Sequence, residues 1–312
     1  MSPGPNGRAP SHQTLGLLAV GVAVLAFSVS SSIVKWAGVP GSVIAFWRML
    51  AAIVVWWVIA RVAGQRVTWD STRRTLVPGL LFGVNLAAFF TAVTMTSIAH
   101  AEFLGALTPL VLMPAGARLF HEHVERRALA WGLVAVVGVA IVLFGGSSSG
   151  TASVRGDLLV LVAMLLWAAY LLATKRARQG MTVSEFMASV TPVGTLALIP
   201  IVAVRGGVTE MTARGWVATM ALLALTGVGA HGLIVFAQRH VPVATIGVMQ
   251  VAQPALAVGW AFVILGETIR PVQIVGMVLV VAGLTLFTLV STRAGAASLS
   301  PSDDGELAGP AG

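Results

Sequence analysis

The chain has 312 residues, of which 57% are hydrophobic and only 10% are charged, and its mean hydropathy is +0.92. So few charged side chains cannot cover the surface of a water-soluble globular domain, which excludes that class. The net charge is +8, but the basic residues are spread along the chain rather than gathered in a patch, which argues against nucleic acid as a partner. Without cysteine, disulfides and thiolate metal sites are excluded.

Ten apolar runs predict ten transmembrane helices, because about 20 apolar residues cross a hydrocarbon core of ~30 Å as a helix. The links between the runs are short and leave no room for a soluble domain, and the first run is too long for a signal peptide. We therefore predict an all-α integral membrane protein whose partner is the lipid bilayer. The runs are 14–34, 42–60, 75–94, 99–119, 128–146, 156–174, 184–204, 215–237, 243–264 and 271–291.

The basic residues predict the orientation of these helices. If the first helix starts in the cytoplasm, 13 Lys and Arg residues lie in the inner segments and 5 in the outer ones. By the positive-inside rule, both termini are expected in the cytoplasm of a bacterium-like cell, with the protein in its cytoplasmic membrane. The tails, residues 1–13 and 292–312, are rich in Pro, Gly, Ser or Ala, and we expect them to be flexible.

The second run contains an arginine, Arg48, about seven residues or ~10 Å from the predicted outer end of its helix. One interpretation is that Arg48 snorkels to the outer interface. The other is that it faces inward and holds an anionic group of the substrate, with Glu102 of the fourth run as its partner when the site is empty. A guanidinium suits that role because its planar fork binds a carboxylate through two parallel hydrogen bonds.

The fourth and ninth runs each contain a proline followed thirteen residues later by a glutamate, Pro109 with Glu122 and Pro254 with Glu267. A proline inside a helix removes a backbone hydrogen bond, and the break is either a structural kink or part of a cavity wall. Each glutamate is expected to cap the positive end of the following helix, and a proton or cation site is the alternative. The histidines of "HEHVE" (121–125) face apart at i, i+2, so no metal site is expected there.

Asn85 in the third run and His231 in the eighth occupy matched positions of "GVNLAAFF" (83–90) and "GAHGLIVF" (229–236). Both are candidates for substrate contact at similar depth. His231 can titrate near neutral pH, which makes it a candidate proton carrier. A neutral histidine that is hydrogen-bonded between helices is the alternative. The glycines of "GVGAHG" (227–232) and Gly138 indicate close helix approach.

Four further side chains are candidate substrate-binding residues. Trp167 and Tyr170 in the sixth run offer flat walls for a ligand, with interfacial anchoring as the alternative. Gln250 and Gln253 are spaced i, i+3 and share one face of the ninth helix. Two amides facing lipid would be costly, so they should face a cavity or another helix, in contact with substrate or in a helix–helix hydrogen bond.

The chain contains an internal repeat. "WGLVAVVGVAIVLFG" (131–145) resembles "GMVLVVAGLTLFTL" (276–289), and the Pro–Glu pair recurs 145 residues later. "FSVSSSIVK" (27–35) lines up with "WAAYLLATK" (167–175). Because each half has five helices, the second copy must enter the membrane upside down. We predict two inverted repeats, 14–146 and 156–291, joined by an outer linker, 147–155, an architecture typical of secondary transporters.

These halves, with a proline in each fourth helix and the stretch "LGETIRPVQIVGMVLVVAG" (265–283), resemble EamA-type members of the drug/metabolite transporter superfamily. The resemblance covers roughly residues 14–290. In the first half, "FHEHVERRALAWG" departs from the pattern, with His121 where glycine is usual. The resemblance implies a ten-helix carrier that is driven by a gradient and uses neither a cofactor nor nucleotide hydrolysis.

We therefore predict a secondary active transporter of a small polar metabolite, such as an amino acid or a related compound, that works by alternating access. Export is the favoured direction, and a homodimer is allowed. An intramembrane enzyme is the main alternative, but the sequence shows no paired acids, Ser–His arrangement or H-E-x-x-H motif within a span. A non-transporting scaffold or sensor is the other alternative.

Overall fold

The computed structural model describes residues 11–122, 126–145, 153–265 and 269–297, and every regular element in these ranges is helical. Eight helical segments of the described chain are long and apolar enough to cross a membrane: His12–Ala37, Gly41–Val62, Leu76–Met95, His100–Phe120, Val154–Ala177, Val183–Arg205, Ala213–Ala237 and Val243–Ile264. Helices also form over the other two predicted runs, at Arg126–Phe144 and Pro271–Ala297. The all-α membrane class is thus confirmed, and the count of ten spans stays a prediction.

The helices are numbered in chain order. The first eight are α1 (His12–Ser28), α2 (Ser30–Ala37), α3 (Gly41–Val62), α4 (Trp69–Arg74), α5 (Leu76–Met95), α6 (Ile98–Gly105), α7 (Pro109–Phe120) and α8 (Arg126–Phe144). The others are α9 (Val154–Ala177), α10 (Val183–Arg205), α11 (Ala213–Leu222), α12 (His231–Ala237), α13 (Val243–Met249), α14 (Gln253–Leu265) and α15 (Pro271–Ala297). Six of them begin after a Ser or Thr whose hydroxyl accepts a hydrogen bond from a first-turn N–H group, which fixes where they start.

Four of the apolar runs are interrupted near their middle. The fourth run breaks between α6 and α7, and Pro109 is the first residue of α7. The ninth run passes through a 3₁₀ turn, Gln250–Ala252, and Pro254 is the second residue of α14. The eighth run contains a π-helical segment, Leu223–Ala230, and the first is interrupted at Val29, between α1 and α2. Each break leaves backbone groups outside the regular α-helical pattern, which is tolerated in a membrane only where protein or a cavity surrounds them.

The helices share two ends. At the first, which we call the Gly41 end, Gly41 packs against the backbone of Phe90, and Gly156 packs against Met95. At the second, the His240 end, the ring of His240 stacks on that of His12, with the ring centroids 5.5 Å apart. These contacts place the starts of α3 and α9 at one end and the start of α1 at the other.

Glycines allow α8 and α15 to pack backbone against backbone. A Cβ added at Gly138 would lie 2.8 Å from the carbonyl oxygen of Gly276, and one at Gly283 would lie 2.8 Å from that of Trp131. No side chain fits at those distances, so the backbones can touch only because glycine occupies both helices. The close approach that the sequence predicted at Gly138 is confirmed.

Candidate functional site

A cavity lies among the helices, walled by the first half of α9 and by parts of α3, α5, α6, α12 and α14. It gathers most of the residues that the sequence singled out. Seven of the eight predicted substrate-binding residues, and one of the two prolines, line it: Arg48, Asn85, Glu102, Trp167, His231, Gln250, Gln253 and Pro254. Tyr170 and Pro109 are buried outside its wall.

Arg48 projects from α3 toward the π-helical segment and is only 1% exposed. Its Nε donates to the carbonyl oxygen of Leu222 (3.3 Å), and its Nη2 lies 3.3 Å from Nδ1 of His231. Its Nη1 has no hydrogen-bond partner within the described protein. The absence of a side chain at Gly227 makes room, since a Cβ there would lie 3.3 Å from Nε. Arg48 therefore does not snorkel to a surface in this structure; it is held inside, beside the cavity.

Glu102 is 3% exposed and is bound by neutral donors. The hydroxyl of Ser31, on α2, donates to Oε1, and Nε2 of Gln253, on α14, donates to Oε2 (3.4 Å). The expected ion pair between Glu102 and Arg48 does not form, and this part of the sequence-based hypothesis is wrong for this structure. The reason is geometric, because α2 and α14 hold the carboxylate while α3 turns Arg48 toward the π-helical segment.

His231 begins α12 and is 4% exposed. Its Nδ1 lies 2.5 Å from the carbonyl oxygen of Thr226. A carbonyl only accepts, so this geometry assigns the proton to Nδ1, and the Arg48 guanidinium is then a neighbour rather than a donor. The imidazole packs among aromatic rings, with centroids 4.6 Å from Phe82 and 5.7 Å from Trp167. The arrangement matches the hydrogen-bonded alternative, and the role of proton carrier stays a prediction.

The amide side chains join helices and face the cavity at the same time. Asn85 donates through Nδ2 to the carbonyl oxygen of Ala163 (2.7 Å) on α9. Gln250 accepts through Oε1 from the indole N–H of Trp167 (3.1 Å). Gln253 donates to the carboxylate of Glu102, so Asn85, Gln250 and Gln253 all form helix–helix hydrogen bonds. Each of the three also lines the cavity. Tyr170 lies behind the wall, where its ring stacks on Trp167 at 5.3 Å.

Among the described residues, Glu122 caps α13 and not α8, the helix that follows it. Its carboxylate pairs with Lys175 of α9 and accepts from the backbone N–H groups of Val243 (3.0 Å) and Ala244 (3.3 Å), the first two residues of α13. The sequence predicted a cap on α8 instead. The difference arises at His121, whose left-handed conformation (φ 53°) turns the chain back at the end of α7. Glu267 and residues 123–125 of "HEHVE" lie outside the described residues.

Three contributors to the site were not predicted from the sequence. Ser31 binds Glu102, the carbonyl oxygens of Leu222 and Thr226 hold Arg48 and His231, and the π-helical segment positions both carbonyls. The hydroxyl cluster "SVSSS" (28–32) is a visible signal, since a buried glutamate needs donors. A π-helical segment leaves no such signal in one sequence.

The chain is similar to known membrane transporters. Residues 154–289 match the EamA-like transporter family. The chain is 25% identical over 270 residues to the pseudopaline exporter CntI of Pseudomonas aeruginosa, covering 85% of this chain and 93% of that protein. It is 24% identical over 290 residues to the threonine/homoserine exporter RhtA of Escherichia coli, covering 90% of this chain and 92% of that protein.

The fold is also similar to a solved one. A crystal structure superposes with a TM-score of 0.72 at 20% sequence identity, over 89% of this chain and 98% of that one. At this identity the likeness shows the fold alone. Together with the match over residues 154–289, these similarities confirm the resemblance seen in the sequence: the second half of the chain is similar to the EamA-like transporter family, and the chain as a whole is similar to proteins named as exporters.

Proposed function

We propose that the protein is a secondary active transporter that exports a small polar metabolite bearing a carboxylate, such as an amino acid or a related compound, by alternating access. The observation that carries this proposal is one cavity with a buried guanidinium and a buried carboxylate on its walls, neither of which neutralises the other.

Arg48 is the proposed anion-holding group. A buried guanidinium whose Nη1 lacks a partner is costly, since an unsatisfied buried charged donor loses its hydration without compensation. A substrate carboxylate in the cavity would satisfy that donor. The neighbours of Arg48 support this role, because the carbonyl oxygen of Leu222 orients the guanidinium, and neither this carbonyl nor the nearby imidazole of His231 neutralises its charge.

Glu102 is the proposed partner for the cationic or hydrogen-donating part of the substrate. Ser31 and Gln253 fix the carboxylate at the cavity wall through neutral donors, so its charge is not cancelled by a protein cation. A zwitterion would then meet opposite charges at two points, while Trp167 offers a flat face and Gln250 an amide. Such two-point recognition fits an amino acid better than a singly charged acid.

Helix packing supports the ten-helix inverted repeat that we propose. Helix α5, the third span, packs on α9, the sixth. Helix α12 with the π-helical segment, the eighth span, packs on α1, the first. These two pairs are equivalent if the repeat relates the third span to the eighth and the sixth to the first. Helices at equivalent positions of the two repeats also pack on each other: α3 on α10, α7 on α13 and α8 on α15. Insertion of the two halves in opposite directions would produce this pattern.

The proposed orientation puts the Gly41 end outside the cell and the His240 end, with both termini, in the cytoplasm. Glu122, Lys175 and the start of α13 then join both halves at the cytoplasmic end, while the cavity lies beside the half of α9 nearer the outside. The arrangement suits a carrier closed toward the cytoplasm. A homodimer stays a prediction on which nothing here depends.

The experiment that tests this function starts with a screen. Purified protein is heated with single metabolites, and a ligand should raise the melting temperature because it binds only the folded state. Each hit is then tested for counterflow in proteoliposomes. Saturable exchange of a stabilising amino acid would support the proposal. Turnover of the compound would favour an intramembrane enzyme, and binding without flux would favour a scaffold or sensor.

A further inference from the structure

A buried polar seam continues from the cavity toward the His240 end along one face of α9. Trp167, Tyr170, Thr174 and Arg178 follow one another at intervals of three or four residues, so they share that face. Tyr170 and Thr174 are fully buried, and Arg178 is 3% exposed. The helix rises about 16 Å from Trp167 to Arg178, roughly half of a hydrocarbon core.

Helix α12 and the residue after it form the second wall of the seam. At the cavity, the imidazole of His231 contacts the ring of Trp167. Further along, Nε2 of Gln238 donates to the carbonyl oxygen of Leu171 (2.9 Å). Gln238 is 4% exposed, and its Oε1 has no hydrogen-bond partner within the described protein. The seam therefore has polar groups on both walls from the cavity to the ends of α9 and α12.

Arg178 closes the seam with a charge that the described protein does not neutralise. Its Nη1 donates to the carbonyl oxygen of Val235, whereas Nε and Nη2 have no partner among the described residues. Burial, and then the positive charge of Arg239, lower the pKa of Arg178 to about 10, so the guanidinium remains charged at neutral pH. His240 and His12 add further basic groups nearby.

A helix cap explains part of this arrangement. Arg178 is the C-cap residue of α9, a position where a cation is favoured by the helix dipole, and its hydrogen bond to Val235 satisfies a carbonyl near the end of α12. That role accounts for one of the donors of the guanidinium. It leaves two buried donors of Arg178 and the buried acceptor of Gln238 without a partner among the described residues.

We propose that this seam is the cytoplasmic half of the transport path and that Arg178 is a second anion site, which receives the substrate carboxylate when the His240 end opens. The inference rests on the proposed function and extends it, because Arg48 serves the outer half only. In the present structure the seam is closed, and Glu122 holds α7, α9 and α13 together beside it. Opening requires release of that contact.

The absence of cysteine allows a direct test. Thr174→Cys places a thiol in the seam, and Thr191→Cys is the matched control, since Thr191 is 1% exposed on α10 and lies outside both seam and cavity. Inside-out vesicles are treated with a membrane-impermeant maleimide. We expect the thiol at position 174 to react at least about ten-fold faster, because only the seam opens to water during the cycle.

The anion site is tested by protection. An equimolar mixture of the twenty L-amino acids should slow the reaction at position 174 about five-fold or more, and the corresponding carboxamides should not. With Arg178→Gln in addition, this protection should fall below about two-fold, because the carboxylate loses its charged partner. Arg178→Lys keeps the charge without the planar fork and should give an intermediate value. Melting temperatures establish whether each variant is folded. If Arg178→Gln does not fold, the protection measured with Arg178→Lys tests the anion site instead.

Two results would overturn the inference. Equal reaction at positions 174 and 191 would show that the seam is ordinary packing. Protection that is absent in the parent, or that persists without Arg178, would show that Arg178 is no anion site. Counterflow of the same amino-acid mixture, measured on the same preparation, distinguishes failure of this inference from failure of the proposed function. Counterflow together with equal labelling at positions 174 and 191 would reject the seam as a transport path but leave the transporter. Absence of counterflow would reject the proposed transport of amino acids.

Discussion

Arg48 is the residue on which the proposed function depends most. A charge at this depth costs at least ~2.5 kcal/mol if it faces lipid. The structure avoids that cost by turning the side chain inward, over Gly227 and beside the imidazole of His231. No carboxylate of the described chain lies within ion-pair distance of the guanidinium, so its charge remains available to a ligand.

Arg48→Lys should reduce transport by about ten-fold or more while leaving insertion and melting temperature nearly unchanged. Lysine keeps the charge but loses the planar fork that can hold a carboxylate and the Leu222 carbonyl together. Uptake into proteoliposomes measures the effect, with Arg61→Lys at the exposed end of the same helix as control. Glu102→Gln should cost less, because the amide still accepts one hydrogen bond. Normal transport by the Arg48→Lys variant would remove Arg48 from the site.

Replacing both Gln250 and Gln253 with leucine should raise the half-saturation concentration about ten-fold while the protein still inserts. The double variant loses the acceptor for Trp167 and one donor to Glu102, so the cavity wall loses polar groups at two points. Uptake kinetics over a range of substrate concentrations test this, with Gln65→Leu in a link as control. Unchanged kinetics in well-folded protein would exclude both amides from the site.

At the scale of elements, the broken helices build the site. The π-helical segment supplies the Thr226 carbonyl to His231, and Leu222, the residue before it, supplies its carbonyl to Arg48. Irregular backbone is common at functional sites because it frees groups that a regular helix would use internally. The 3₁₀ turn has a similar effect, since it begins at Gln250 and leads into the helix that carries Gln253.

Gly227→Ala tests the contact between this segment and Arg48. The added Cβ would lie 3.3 Å from Nε and 3.5 Å from Nη2, so the guanidinium must shift by a few tenths of an ångström. We expect transport to fall about three-fold or more, since small displacements of a binding group are costly. Gly21→Ala on α1 is the matched control, because its Cβ would meet nothing within 4 Å. Equal activity of the two variants would contradict the proposed positioning.

Glu122→Gln tests the contact that joins α7, α9 and α13. The amide cannot form the ion pair with Lys175, and it caps α13 more weakly than a carboxylate does. We expect the cytoplasmic end to open more often, which would raise maleimide reaction at Thr174→Cys about three-fold or more. Glu185→Gln, in the first turn of α10, serves as control. Reaction that does not change would mean that Glu122 is only a structural cap.

The sequence predicted the elements better than it predicted the contacts between them. Hydropathy located the helices, and Asn85 and His231, which the internal repeat singled out, both line the cavity. The contact partners of individual side chains could not be predicted in the same way, because the direction of Arg48 depends on the π-helical segment and on the space at Gly227. The target of Glu122 depends on the positive φ of His121, which "FHEHVE" does not reveal. Patterns along the chain fix which face is apolar, whereas contacts require the packing of distant helices.

At the scale of the whole molecule, the proposal requires a fixed orientation. Reporter tags fused at residue 1 and at residue 312 should both be in the cytoplasm, and a tag inserted within residues 145–156 should be outside. An inverted repeat of five helices puts the linker opposite both termini, because each half has an odd number of spans, and the distribution of basic residues places the termini inside. Both termini outside would contradict the orientation, and termini on opposite sides would contradict the repeat.

The most direct test of the central claim is counterflow. Proteoliposomes are loaded with an unlabelled amino acid that raises the melting temperature, and entry of the same radiolabelled compound is followed at zero net gradient. We predict saturable entry that exceeds the entry into empty proteoliposomes and falls about ten-fold or more with Arg48→Lys. The account would be contradicted if entry rose linearly with concentration, did not increase with internal substrate and was unchanged by Arg48→Lys.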